Sequence, residues 1–316
     1  MPSYFICYFP YLIRKKDFFH PNIHIPKSFR FLIRNKPCNP IINPKKAITF
    51  NDHSTDFSII SLSLNKSNIK FIGIQQAGRS KVYLESFKDF RIHLPYYYTI
   101  GDFELDIIPS YLKTISIIKP IGSLKIALAK EYFSQRKMKF KKSFDICIIS
   151  EPRTIQSNDL KGYKNLSEQR ALIVQYVLNY CTKFKKKYIF SGKHDINDKR
   201  KKIELSVYKH YLKDLSFNLT FNSKKEFGTY QHVLKSDLII GATSSMLQES
   251  FGLNKKVLYC DYQNDKELYP YLTGICVLKD RSYNAFEKRI NKILSLNYND
   301  YLEEIDQDIN YIYNTK

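Results

Sequence analysis

Residues 236–262 constrain the fold of this chain more than any other segment, because they predict a strand, a tight turn, a helix and a second strand in direct succession. An apolar run ends at Gly241, residues 245–251 have a helical pattern, and residues 256–260 return to a strand pattern. Such a unit is typical of a parallel sheet covered by helices, with the turn at the carboxyl end of the first strand.

The turn after this first strand is a candidate ligand site. Unpaired backbone N–H groups and the helix amino terminus favour a phosphate at such a turn. Hydroxyl groups of Thr243, Ser244 and Ser245 add donors, and Glu249 follows about one helical turn later, at a distance suited to a ribose. An ordinary helix N-cap explains the same pattern, so both interpretations stay open.

The rest of the chain also alternates between strand and helix patterns. Further strands are predicted at residues 47–50, 69–74, 96–100, 116–118, 144–150, 187–192, 217–221 and 274–278. Helices are predicted at residues 122–133, 167–184, 199–213, 230–235, 283–296 and 300–313, with Asn165 and Glu168 as a capping box for the second. The pattern predicts an α/β fold of two Rossmann-like domains facing each other across a cleft, residues 1–140 and residues 141–316, the second closed by C-terminal helices.

Composition narrows the class of protein. A hydrophobic content of 43% indicates a globular chain, and no apolar stretch is long enough for a membrane span, so we expect a cytoplasmic protein. The six cysteines are scattered and indicate neither zinc nor disulfides. The formal charge of +21 favours polyanionic partners such as nucleic acid, anionic lipid or phosphorylated substrates, although coding bias in an AT-rich genome also enriches lysine.

Four segments together resemble a known group of proteins: IGIQQAGR (residues 72–79), IKPIGSLK (118–125), IISEPR (148–153) and the run DLIIGATSSMLQESFGLNKKVL. They are similar to bacterial surface-carbohydrate biosynthesis proteins with the GT-B glycosyltransferase fold, a group related to CDP-glycerol glycerophosphotransferases, capsule Kdo transferases and UDP-N-acetylglucosamine 2-epimerases. The similarity covers about residues 47–280. Ala77 departs from the Q-N-G or Q-H-G of relatives, which leaves a member that binds without turnover as an alternative.

This resemblance implies that the first domain takes an acceptor and the second grips a nucleotide-activated donor. We therefore expect a GT-B glycosyltransferase that needs no cofactor or metal and moves a sugar or polyol phosphate to a surface polysaccharide or lipid-linked precursor. A UDP-sugar 2-epimerase-like enzyme and a basic nucleic-acid-binding protein are the alternatives, although no nucleic-acid-binding motif occurs and no nucleic-acid partner is expected. Peripheral contact of the basic first domain with the anionic inner face of the membrane is also left open.

Candidate site residues follow from strand ends and residue chemistry. The expected donor-binding residues are Gly241, Thr243, Ser244, Ser245, Glu249, Lys193 and His194. The expected phosphate- or acceptor-binding residues are Gln76, Gly78, Arg79, Gly122, Ser123 and Arg153. The catalytic candidates are Asp52, His53 and Glu151, because an inverting transferase needs a carboxylate or histidine to deprotonate the acceptor hydroxyl. Each also has a plain structural interpretation, such as a turn, a cap or a surface ion pair.

Overall fold

A computed structural model describes residues 46–49, 61, 70–78, 95–106, 115–151, 161–213, 215–262 and 273–314. The predictions for Asp52, His53, Arg79 and Arg153 lie outside these residues. The described residues form two compact units, one around the first four strands and one that contains residues 100–104 and everything from Pro120 onward.

The first unit contains a four-stranded sheet. Its strands are β1 (Lys46–Thr49), β2 (Lys70–Ile74), β3 (Tyr96–Thr99) and β4 (Ile117–Pro120), in the order β1-β2-β3-β4. The β1/β2 and β2/β3 pairs are parallel. Phe71 and Tyr97 are buried, as expected for short strands of β-branched and aromatic residues packed on a core. All four strands were predicted at these places.

The second unit contains a six-stranded sheet with the strand order β10-β9-β8-β5-β6-β7. Its strands are β5 (Phe144–Ile149), β6 (Tyr188–Asp195), β7 (Leu219–Asn222), β8 (Ser236–Gly241), β9 (Lys256–Cys260) and β10 (Val277–Leu278). The paired strands run parallel throughout. Successive strands extend from β5 in one direction and from β8 in the other, so the order reverses between these two neighbours, as in the Rossmann arrangement.

Helices cover this sheet. They are α1 (Leu124–Gln135), α2 (Lys161–Phe184), α3 (Lys201–Tyr211), α4 (Gly228–Leu234), α5 (Ser245–Phe251), α6 (Tyr283–Ser295), α7 (Tyr298–Glu303) and α8 (Ile309–Ile312), with 3-10 turns at Lys224–Glu226 and Gly274–Cys276. The middle residues of the central strands are apolar, and Ile239 and Val257 are 0% exposed, because helices must bury both faces of a parallel sheet. Within the described part of the chain, no helix has the length and apolar content needed to cross a bilayer.

Three details differ from the sequence-based expectations. Helix α2 begins at Lys161, so Asn165 lies inside the helix and is not its cap. The predicted single helix over residues 300–313 is two short helices, because Asp308 caps a new start by accepting from the N–H of Asn310. By compactness α1 groups with the second unit, whereas the predicted division after residue 140 placed it in the first. The predicted α/β class with two parallel sheets is confirmed.

Candidate functional site

A pocket of about 600 Å3 lies in the second unit, at the carboxyl ends of β5, β6 and β8. Its wall includes Glu151 after β5, Gly192 and Lys193 on β6, and the turn from Thr243 to Met246 after β8. Carboxyl ends of neighbouring parallel strands meet at one sheet edge, and the pocket coincides with the point where the strand order reverses. Ligands of open α/β sheets bind at this topological switch point.

The Glu151 carboxylate occupies the turn that sequence analysis assigned to a phosphate. Its oxygens accept from the N–H of Ala242 at 2.8 Å, from the N–H of Thr243 at 2.9 and 3.0 Å, and from the Thr243 hydroxyl at 2.6 Å. Gly241 makes room for this carboxylate, since a Cβ there would lie 2.9 Å from Glu151 Oε1. The turn therefore holds an anion that belongs to the chain itself, and the binding of a ligand phosphate there stays a prediction.

Arg170, on the buried face of α2, completes this cluster and was missed from the sequence. Its side chain is 5% exposed, and its Nη2 donates to Thr243 Oγ1 at 3.1 Å and lies 3.8 Å from Glu151 Oε2. Nε and Nη1 have no hydrogen-bond partner among the described residues. The sequence did contain a sign of this role, because Arg170 lies on the same helix face as the apolar Ala171 and Val174. A charged residue on an apolar face needs a partner.

Helix α5 contributes less to an anion site than its sequence pattern indicated. It has seven residues, and its N-cap Ser244 already accepts from the N–H of Met246 at 3.3 Å. A helix of two turns has few aligned peptide dipoles, so hydroxyl groups matter more than the helix terminus here. Ser244 and Ser245 both line the pocket, as predicted, and their donor-binding role stays a prediction.

Glu249 also lines the pocket, but its carboxylate is 1% exposed and is held by the chain. Oε1 accepts from the Ser123 hydroxyl and Oε2 from the Tyr230 hydroxyl, both at 2.9 Å. Burial raises the pKa of this carboxyl, against the lowering effects of Lys125 and the two hydroxyl groups. Both oxygens therefore have partners within the chain, and the contact with a ribose stays a prediction.

The predicted anion site at Gly122 and Ser123 is likewise occupied from within. The Ser123 N–H donates to the Tyr313 hydroxyl at 3.1 Å, and the Ser123 hydroxyl donates to the Glu249 carboxylate. Gly122 has a φ of +76°, and a Cβ there would lie 2.8 Å from Asn314 O. The glycine is therefore required by close packing against the C-terminal segment, and the proposed ligand role stays a prediction.

Lys193 and His194 have different surroundings, although they are adjacent. Both backbone N–H groups donate to the buried Glu204 carboxylate, at 2.8 and 3.1 Å. The exposed Lys193 lines the pocket, whereas His194 is outside its lining, with its ring 3.7 Å from Asp198 Oδ2. Burial lowers the pKa of His194. The structure thus brings Lys193, and not His194, to the pocket.

Two further lysines in the pocket wall, Lys125 and Lys224, were not singled out from the sequence. With Lys193 they give the wall three ammonium groups, against two carboxylates that are both hydrogen-bonded within the chain. With the Arg170 guanidinium, the basic side chains of the wall outnumber its carboxylates, so the pocket attracts anions. The sequence did not indicate these two lysines because the chain contains many lysines, and only the fold determines which of them lie close together.

Among the remaining candidates, Gln76 is exposed and Gly78 is half-buried in the loop after β2, and their acceptor-binding role stays a prediction. The described residues contain no group of three or more His, Cys, Asp or Glu side chains arranged to hold a metal ion. Four cysteines in the described ranges are free and buried.

Comparison with known proteins gives a likeness of fold. No protein-family model and no curated protein matches the chain. The UDP-GlcNAc 2-epimerase from Neisseria meningitidis, solved bound to UDP-GlcNAc, aligns with a TM-score of 0.53 and 14% identity, over 86% of this chain and 74% of that chain. A protein from Listeria monocytogenes named as a UDP-N-acetylglucosamine 2-epimerase aligns with a TM-score of 0.53 and 10% identity, over 86% and 71%.

The wall teichoic acid polymerase TagF aligns at a TM-score of 0.46 and 14% identity, over 83% of this chain and 67% of that chain. The epimerase alignments, together with two parallel sheets in one α/β chain, show a GT-B-type fold, which confirms the fold class expected from the sequence.

Proposed function

We propose that this protein is a GT-B enzyme that binds a nucleotide-activated sugar or polyol phosphate in the pocket described above. It transfers that group to a surface polysaccharide or its lipid-linked precursor. The observation that carries this proposal is the coincidence of a pocket, three wall lysines and the switch point of a Rossmann-ordered sheet.

The pocket suits such a ligand in size and chemistry. Its volume of about 600 Å3 falls within the usual range for small-molecule sites. Lys125, Lys193 and Lys224 supply positive charge for phosphate groups, and the hydroxyls of Thr229 and Ser245 supply hydrogen bonds to a sugar or ribose. Half-buried Phe227 and Met246 supply apolar wall area. This mixture fits a nucleotide better than it fits a purely apolar or purely ionic ligand.

The wall lysines also match the chemistry of transfer. When the bond to the activated group breaks, negative charge develops on the departing nucleotide phosphate. Ammonium groups near that phosphate stabilise this charge as it forms. The acceptor hydroxyl must lose a proton, and Asp52 or His53 stays our proposal for the base. Because such donors are cytoplasmic metabolites, we place the reaction in the cytoplasm.

A 2-epimerase-like reaction is the second candidate, since two proteins named as 2-epimerases share the fold. Both candidates use a nucleotide sugar, and they differ in whether an acceptor is needed. Incubation with UDP-N-acetylglucosamine alone, followed by NMR at C2, detects epimerisation. Nucleotide release that depends on an added acceptor polysaccharide indicates transfer.

Ligand binding tests the proposal directly. We expect CMP, CDP, UDP or GDP, or one of their sugar conjugates, to raise the melting temperature of the wild-type protein saturably. Replacing Lys125, Lys193 and Lys224 together with alanine is expected to weaken that binding at least about tenfold, because charge-assisted contacts are lost. Alanine at the exposed Lys202, Lys209 and Lys213 removes the same charge outside the pocket lining and is the matched control.

Two outcomes contradict the proposal. One is a wild-type protein that no nucleotide or nucleotide sugar stabilises at millimolar concentration. The other is equal weakening by the pocket triple variant and by the control triple variant, which indicates attraction by overall charge in place of a specific site.

A further inference from the structure

We propose that Glu151 is an internal gate of the amide nest, defined as the backbone N–H groups of Ala242 and Thr243 with the Thr243 hydroxyl. In this proposal a phosphate group of the ligand binds in the nest after the Glu151 carboxylate has left it. The inference rests on the proposed function, because it assumes that the ligand of this pocket is phosphorylated.

The nest has the donor arrangement of a phosphate site. All three of its N–H and O–H groups point to one carboxylate, at 2.6 to 3.0 Å. Carboxylate and phosphate oxygens accept hydrogen bonds from the same donors, and consecutive backbone amides in a turn form a concave anion site. Glu151 and Thr243 both belong to the pocket wall, so the nest lies at the place where a ligand enters.

Arg170 is an independent sign that this place accommodates more negative charge than one carboxylate provides. The Arg170 side chain is only 5% exposed, yet its Nε and Nη1 atoms have no hydrogen-bond partner among the described residues. A buried guanidinium carries five N–H donors and is costly to leave unsatisfied. A phosphate has more oxygen atoms than a carboxylate, and it satisfies the nest and the guanidinium together.

Gly241 permits the exchange of one anion for the other. A side chain at this position would lie within 2.9 Å of Glu151 Oε1 and 3.2 Å of Leu247 Cδ1. Without a Cβ, the carboxylate reaches the nest past the end of β8. The exchange conserves the ion pair at Arg170, since the incoming phosphate replaces the carboxylate as its counter-ion. The cost of moving Glu151 lowers the apparent affinity of the wild-type protein for its ligand.

This mechanism predicts a gain of binding when a buried acidic residue is removed. We expect Glu151→Ala and Glu151→Gln to bind inorganic pyrophosphate, and CDP or UDP, about tenfold or more tightly than the wild type, measured by isothermal titration calorimetry at fixed ionic strength. Adding Arg170→Met to Glu151→Ala is expected to abolish the gain. Glu226→Gln removes one exposed carboxylate that neighbours Lys224 and does not touch the nest, and it controls for net charge.

The possible results separate this inference from the proposed function. Nucleotide binding to the wild type with no gain in either Glu151 variant overturns the gate and leaves the function standing. No binding of pyrophosphate or nucleotide to any form overturns both. A gain of equal size in Glu226→Gln overturns the gate, because overall charge then explains it. If Glu151→Ala does not fold, Glu151→Gln, which has nearly the same shape, decides the question alone.

Discussion

At the scale of single residues, three buried carboxylates at the pocket side of the sheet hold the surrounding loops in place. Glu151 holds the turn after β8, and Glu249 joins Ser123 to Tyr230. Glu204 accepts from the Ser150 hydroxyl and from the N–H groups of residues 193 and 194. Buried charges are tolerated only where such donors surround them, so these acids shape the pocket before any ligand arrives.

Glu249 makes the stability of the protein depend on pH. Burial raises its folded-state pKa above the ordinary value of 4.5, so the folded state favours the protonated carboxyl more than the unfolded state does. This contribution to stability is complete below pH 4.5 and is lost as the pH rises through the folded-state pKa.

We therefore expect Glu249→Gln, which keeps the shape and removes the ionisation, to lose less stability than the wild type between pH 5 and pH 8. The Gln amide both accepts and donates, so it can pair with the hydroxyls of Ser123 and Tyr230. Urea unfolding at several pH values measures the effect. Parallel pH profiles for the two proteins contradict the prediction.

At the scale of elements, a buried lysine of β9 terminates helix α6. Lys256 Nζ donates to Ile293 O at 2.8 Å and to Leu296 O at 2.7 Å, at the end of a helix whose last carbonyls have no partner within the helix. A positive charge also suits this negative end of the helix dipole. The amphipathic helix packs through Phe286, Ile290 and Ile293, so the lysine links its end to the sheet that its apolar face covers.

Replacing this lysine is expected to destabilise the protein. Lys256→Met retains the linear side chain but leaves two carbonyl oxygens without a donor, which costs about 1 to 3 kcal/mol of unfolding free energy. Lys288→Met, at an exposed position of the same helix, is expected to change it by less than about 0.5 kcal/mol. Chemical denaturation of both variants makes the comparison. Equal stabilities contradict a capping role.

At the scale of the whole molecule, the segment from Ile309 to Asn314 ties distant parts of the second unit together. Asn314 N–H donates to Ile100 O at 2.9 Å, and the Gln248 side chain donates to Ile312 O at 2.6 Å. A Cβ at Gly101 would lie 2.6 Å from Ile312 O, so that position needs glycine for the close approach. This segment is thus part of the core that supports Glu249.

Deletion of residues 309–316 tests this contribution. It removes the buried side chains of Ile312 and Tyr313, which are 0% and 6% exposed, and we expect a loss of roughly 3 to 6 kcal/mol in unfolding free energy. Deletion of residues 315–316 keeps every described contact of the segment and serves as the control. A truncated protein with the melting temperature of the wild type contradicts the proposed role.

Sequence alone determined the order and type of most elements. Apolar runs with β-branched residues placed β2, β5, β8 and β9 within one or two residues, because burial on both faces of a sheet demands such runs. The turn after β8 was predicted to bind an anion for a local reason, since small and hydroxylated residues between a strand and a helix expose amides. Errors arose at helix ends, where weak caps compete, as at Asn165 and residues 304–308.

Only the tertiary structure determined which group of the chain occupies the turn after β8. Glu151 meets Thr243 across 92 positions of chain, and Arg170 joins them from a third element. No local pattern encodes a contact between residues so far apart, because β5 and β8 become neighbours only through the strand order of the sheet. The same order selected four of the 51 basic residues for the pocket wall, namely Lys125, Arg170, Lys193 and Lys224. Local chemistry thus specified an anion-binding turn, and long-range packing specified its occupant.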